Sequence, residues 1–301
     1  MLDFRHLALV SPTTRRTDAL LAWYFVTVWG SGFIATKIGL QYAAPFTFLT
    51  LRYAFGVMCL LPLVLWLKPS WPSTRQEWFH IVVAGLLMHA IHLSGSHYTQ
   101  YLGMSAGITA VILALQPLAT ALIAIPWFGE RPQPRQWLGI ALGFAGVALI
   151  VWHKIDIRAV TPGSLVAVGI GLASLTAGTL YQRRYCATAD LRSGALIQFV
   201  VSLAVLAPLS ITIEGAEVRW TWPLLASIAF LVIGASIIGV NALHTLMRHG
   251  EAARVTSMMY LPPIFAVAIE FLAFGVVPTP LSIAGIAITA LGVALAMRRA
   301  K

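Results

Sequence analysis

Residues 106–149 read AGITAVILALQPLATALIAIPWFGERPQPRQWLGIALGFAGVAL, and residues 252–295 read AARVTSMMYLPPIFAVAIEFLAFGVVPTPLSIAGIAITALGVAL. The second is a copy of the first, 146 positions later and without a gap. Identical pairs include Pro117/Pro263, Gly129/Gly275, Pro132/Pro278, Pro134/Pro280, Gly139/Gly285 and Gly146/Gly292. Kinks, loop breakers and small residues therefore recur in register, which shared apolar composition alone rarely gives. Each copy holds two long apolar stretches, so the unit that was duplicated reads as a piece of membrane protein. Membrane proteins built from two related halves are commonly secondary transporters, with the substrate path between the halves.

The rest of the chain agrees with a membrane setting. Its 301 residues are 59% hydrophobic and only 10% charged, against about 25% charged in a soluble globular domain. Apolar runs of about 20 residues, each long enough to cross the hydrocarbon core, follow one another along nearly the whole length. A membrane β-barrel would need short alternating segments instead. The class expected is an all-α polytopic membrane protein. The net charge of +10 comes without a basic cluster on a polar fold, so it points to orientation in a bilayer and not to nucleic acid. Cys59 and Cys186 make no disulfide framework. The first apolar run is too long for a signal-peptide core and lacks a cleavage signature, so it reads as a retained helix.

Ten transmembrane helices are expected, at 19–41, 46–67, 78–99, 105–126, 136–153, 163–182, 194–213, 222–245, 253–274 and 281–297. Residues 1–18 form a polar cytoplasmic tail. The spans divide into a first five-helix repeat over 19–153 and a second over 163–297. Of the 20 Lys and Arg residues, 15 fall on one side when the N-terminus is placed inside, Arg183, Arg184 and Arg192 among them. Only Lys154, Arg158 and Arg219 fall in outer loops. That bias sets both termini in the cytoplasm of a bacterial-type plasma (inner) membrane. Five spans per half is an odd number, so the two repeats must be inverted relative to each other, the arrangement that lets one half rock against the other.

Several strings are similar to a known pattern. Trp29-Gly30-Ser31-Gly32-Phe33, with Lys37 after it, resembles the first helix of the EamA-like family of the drug/metabolite transporter (DMT) superfamily. Pro45-Phe46-Thr47-Phe48 leading to Arg52-Tyr53 resembles its second helix. Ala106-Gly107, Leu115-Gln116-Pro117 and Phe128-Gly129-Glu130 resemble its fourth, and Tyr260-Leu261-Pro262-Pro263 its ninth. The resemblance covers about residues 19–297. It implies transport, often efflux, of small metabolites such as amino acids, with neither ATP nor a bound cofactor. One departure stands out: the second Gly-Glu of that pattern is Gly275-Val276 here, while a carboxylate appears earlier, at Glu270.

Candidate site residues follow from polarity inside apolar spans. His89, His92, Ser96 and Thr99 fall at i, i+3, i+7 and i+10, one helical stripe, with His97 beside it. Such groups avoid lipid unless partnered, so the stripe is expected to line a cavity or to bond neighbouring helices. Gln116, next to the breaker Pro117, and Tyr260, ahead of Pro262 and Pro263, can contact substrate or mark kinks. Tyr181, Asn241 and His244 are similar candidates. Gly30 and Gly32 suit close helix contact. Lys37, Arg52 and Glu270 are charges placed within spans near one depth, as an outer gate would need; the plainer alternative is snorkelling of the two cations. There is no nucleotide loop and no metal-protease motif, and the histidine pair lacks a third ligand, so no cofactor, metal or catalytic residue is expected. The expected partners are a small-molecule substrate and the lipid bilayer, with proton or substrate-gradient coupling and a homodimer left open. An intramembrane enzyme using the span-3 histidines, or a passive channel, remain as alternatives.

Overall fold

The computed structural model describes residues 12–104, 106–113, 115–129, 133–152, 160–239, 242, 277 and 279–297. The ninth expected span lies outside the described residues. So do the candidates Asn241, His244, Tyr260, Pro262, Pro263 and Glu270. Among the described residues the elements are α1 Pro12–Gly39, α2 Pro45–Leu67, α3 Arg75–Tyr101, α4 Ala106–Leu113, α5 Gln116–Phe128, α6 Pro134–Val151, α7 Pro162–Tyr185, α8 Leu191–Glu214, α9 Trp222–Gly239 and α10 Pro280–Met297. There is no β-strand among them, only an isolated antiparallel bridge between Ala43 and Val218. Five of these helices, α2, α3, α7, α8 and α9, are long and apolar enough to cross a membrane.

Local chemistry explains the helix ends. Proline opens α2, α6 and α7 near the first turn, where its missing N–H is not needed and its fixed φ fits. Thr74 and Glu77 form a reciprocal capping box at the start of α3, and Thr161 and Ser164 do the same for α7. Asp190 caps α8 by accepting the N–H of Arg192 at 2.9 Å. At its far end, α8 stops at Gly215 with φ +69°, the left-handed position that glycine takes without strain.

Three differences from the sequence reading have physical causes. The first helix begins at Pro12, inside the segment expected to be tail, because proline suits a first helical turn. The fourth span is interrupted: α4 is described to Leu113 and α5 from Gln116, with Leu115 in a turn before it and Pro117 in its first turn. Both α3 and α9 contain wide π-helical segments, Leu86–Ile91 and Phe230–Gly239, which alternation of apolar and polar residues does not signal.

The repeated segments supply one tight pair. Helices α6 and α10 pack directly against each other. A Cβ added at Gly285 would lie 2.6 Å from the carbonyl of Gly146, and one at Gly292 would lie 2.6 Å from that of Gly139. The glycines that recur between the copies are thus the ones that let these backbones touch, as small residues do in membrane helices. The remaining long helices pack as α2 on α8, α3 on α7 and α8, and α1 on α9.

Candidate functional site

Helices α1, α2, α3, α4, α7, α8 and α9 line a cavity of about 520 Å³. Its lining reaches from Thr36, Arg52 and Gln100 at one end to Leu67, Cys186, Leu191 and Arg192 at the other. At 1.5 Å of rise per residue, the 15 positions from Arg52 to Leu67 span roughly 22 Å. Both π-helical segments face it, through Met88 and His89 in α3 and through Leu231, Ala235 and Ser236 in α9. A π turn inserts an extra residue into the helical register and often occurs where side chains serve a site. Of the histidine stripe, His89 lies within such a segment and His92 directly follows it.

His89, His92 and Ser96 line the cavity, and His97 joins them. Thr99 does not; it is buried and donates to the Ser164 carbonyl of α7 at 3.1 Å. The ring of His89 is held by Gln198 of α8, Nε2 to Oε1 at 3.1 Å, and by edge contacts with Tyr53 and Phe199. His92 Nδ1 lies 3.0 Å from the Gly171 carbonyl of α7, so the ring nitrogen donates there. Each imidazole is therefore pinned across a helix interface while its remaining edge faces the cavity.

Other candidates fall elsewhere. Gln116 is not among the lining residues; its amide donates to Thr179 Oγ1 at 3.3 Å. Tyr181 is also outside the lining, in an aromatic cluster with His80 and Tyr185, where its hydroxyl meets His80 Nδ1 at 2.7 Å. Lys37 is exposed in the last turn of α1 and takes no part in the cavity wall. Arg52 does take part: its Nη2 donates to Ser236 Oγ of α9 at 3.2 Å. Gly30 is buried in α1, but a Cβ at Gly32 would meet only Leu231 at 3.7 Å, so close packing does not demand a glycine there. Gly32 instead lines the cavity.

The two ends of the cavity differ. Beyond Thr36 and Arg52, the α1–α2 and α8–α9 connections are bound to each other. Glu214, the last residue of α8, accepts the N–H groups of Phe46 and Thr47 at 3.0 and 2.8 Å and the Thr47 hydroxyl at 2.8 Å. Arg219 donates its backbone N–H to the Tyr42 carbonyl at 2.9 Å and its guanidinium to the Gln41 carbonyl, while lying over the Tyr42 ring. Phe48 and Leu224 are fully buried beneath this contact. At the other end, Leu67, Leu191 and Arg192 are exposed, and the cavity runs out between them. Cys186 sits there just past α7, its thiol pushed up by burial.

Sequence reasoning missed Glu214, Gln198, Gln182 and Ser236. Gln198 and Ser236 carried a signal, polar side chains within long apolar runs. Glu214 carried none, since a carboxylate at a span end reads as interfacial.

Comparison with known proteins fits this arrangement. The chain is 28% identical to an uncharacterized transporter, YvbV, of Bacillus subtilis, over 85% of this chain and 83% of that one. It is 26% identical to the uncharacterized inner membrane transporter YedA of Escherichia coli K12, covering 86% and 87%. It is 23% identical to a probable amino-acid metabolite efflux pump of Salmonella typhimurium, covering 90% and 91%. A solved crystal structure superposes with a TM-score of 0.70 over 94% of this chain and 97% of the other, at 20% identity, which shows a shared fold. The model of the EamA-like transporter family matches twice, at residues 17–152 and 161–298. The chain is a membrane protein of the EamA-like transporter family, within the drug/metabolite transporter superfamily.

Proposed function

We propose that this protein is a secondary transporter that exports small metabolites, amino acids among them, by alternating access through the cavity between two inverted five-helix repeats, 19–153 and 163–297. The observation that carries the reading is the asymmetry of the cavity, bound shut across the two halves at Glu214 and open at Arg192. A pore would be open, or constricted, along one continuous path; a carrier is closed at one end at a time. The open end bears Arg183, Arg184 and Arg192 and is assigned to the cytoplasm by the excess of positive charge. In this reading both termini are cytoplasmic, the membrane is a bacterial inner membrane, and the conformation is the inward-facing one. The wide turns in α3 and α9 support the repeat, since these are the third helices of the two halves. Arg52 belongs to the closed, outer half of the path, whereas Lys37, exposed at its helix end, is assigned to the lipid headgroups.

Counterflow in reconstituted vesicles tests the proposal. Vesicles loaded with a panel of amino acids and other small metabolites should take up at least one labelled counterpart, with saturation and acceleration by substrate on the far side. Linear, unaccelerated flux would mark a pore, and no flux for any panel member would refute transport of this class.

A further inference from the structure

The polar groups of the cavity are not equally engaged. His89 and His92 already have partners on α8 and α7. Arg52, by contrast, uses one nitrogen on Ser236 and keeps Nε buried without a hydrogen-bond partner among the described residues. Gln100, at the same end of the lining, has neither its amide oxygen nor its amide nitrogen bonded among the described residues. The only carboxylate among the described lining residues is Asp190, at the opposite, open end, where it caps its own helix through the Arg192 amide. No described carboxylate pairs with Arg52.

A guanidinium held in a low-dielectric site favours an anion strongly, and its planar fork matches a carboxylate with two parallel donors. The walls leading to it are apolar, with Val28, Phe33, Leu63 and Phe199 exposed to the cavity. We infer that Arg52 is the docking point for a substrate carboxylate, so that the preferred substrates are small monocarboxylates with an apolar body. One cation balances one negative charge and lets the loaded site move as a neutral pair. A phosphate group, carrying about −1.5 to −2 at neutral pH, would remain uncompensated. At the Arg52 end no described carboxylate answers an ammonium, so the site holds no counter-charge for an α-amino group. The inference rests on the transporter reading above and narrows its substrate class.

The test uses the full-length protein in vesicles with acetate, butyrate and 3-phenylpropionate, their amides, and the corresponding α-amino acids. Each carboxylate should outcompete its amide by at least about tenfold, the equivalent of one charge-assisted hydrogen bond. Deamino acids should do no worse than the amino acids. Arg52→Gln should weaken the carboxylates about tenfold to a hundredfold and leave the amides unchanged, while Arg52→Lys should keep the preference in reduced form. Should Arg52→Gln fail to reach the membrane, the Lys variant and the acid-to-amide ratio of the native protein decide. Equal transport of acids and amides, a strict demand for the ammonium, or an unchanged ratio in Arg52→Gln would overturn the inference. So would recovery of native carboxylate transport in an Arg52→Gln, Glu270→Gln double variant, for Arg52 would then serve Glu270. Flux confined to neutral or cationic solutes sinks this inference alone; no flux at all sinks the transporter reading.

Discussion

The two ends of the cavity solve the same problem differently. Every helix end exposes backbone groups that need partners. At the open end the partners are local: Thr74 and Glu77 cap α3, and Asp190 caps α8. Bonds that cross there are the Ser193 hydroxyl to the Ser70 carbonyl, at 2.6 Å, and the Tyr181 hydroxyl with His80 Nδ1, at 2.7 Å. At the closed end the partner comes from the other half. Ala44, the residue before α2, has no side chain to cap with, and Glu214 of α8 takes over the task. Helix starts capped from within can separate without orphaning their own N–H groups. An end capped from across is stable only while the halves touch, so opening and losing the cap become one event.

Removing the crossing cap should therefore have the largest effect. Glu214→Ala deletes three hydrogen bonds to a carboxylate. With water replacing part of the loss, about 2 kcal/mol is expected, or roughly thirtyfold in the balance between closed and open outer ends. A cysteine at Thr36, deep in the lining, in a background with Cys59 and Cys186 replaced by Ser, reports this balance. Labelling from outside by a membrane-impermeant maleimide should rise strongly in Glu214→Ala. Unchanged labelling would mean that the cap does not hold the end shut.

A local cap supplied at the same place should sharpen the contrast. Ala44 already has the extended backbone of an N-cap, φ −66° and ψ 160°. An aspartate there can accept from Phe46 and Thr47, the amides that Glu214 now holds. Ala44→Asp should make α2 independent of the other half, recovering about 1 kcal/mol of stability in the Glu214→Ala background. The melting midpoint in detergent should rise while outside labelling stays high. If labelling fell back to the native level, the closed end would depend on helix stability and not on the crossing bond. Arg219→Ala is expected to have a smaller effect of the same sign, a few-fold rise in Thr36→Cys labelling, because its contacts to Gln41 and Tyr42 are exposed.

The fold was legible where the chain punctuates itself. Pro134, Gly139, Gly146, Gly285 and Gly292 mark a helix start and a backbone-to-backbone contact, and each does in the structure what its type and spacing suggest. The cavity was half legible. His89, His92 and Ser96 could be placed because polar groups in an apolar helix must face inward. Thr99, in the regular helix after the π turn at Leu86–Ile91, takes the other role open to the stripe and bonds the neighbouring α7. Glu214 was illegible because its role depends on a helix start 168 residues away. A carboxylate ending an apolar run looks the same whether it meets water or another helix.

The smallest effect on outer opening should come from the matching change at the open end. Asp190 holds only its own helix, through the Arg192 amide, and faces the cavity mouth without bonding the other half. Asp190→Ala removes an N-cap, which typically costs about 1 kcal/mol of helix stability. Water already reaches this end, so the freed amide finds a partner in every conformation. The melting midpoint should fall by a few degrees, while outside labelling of Thr36→Cys and the transport rate stay within about twofold of native. Glu214→Ala and Asp190→Ala remove a carboxylate from a cap at opposite ends of the same helix, α8, and only the first also parts the halves. If Asp190→Ala changed labelling as much as Glu214→Ala, capping from across would not differ from capping within. Closure would then belong to the apolar cluster of Phe48, Leu224 and Leu231 beneath the outer loops.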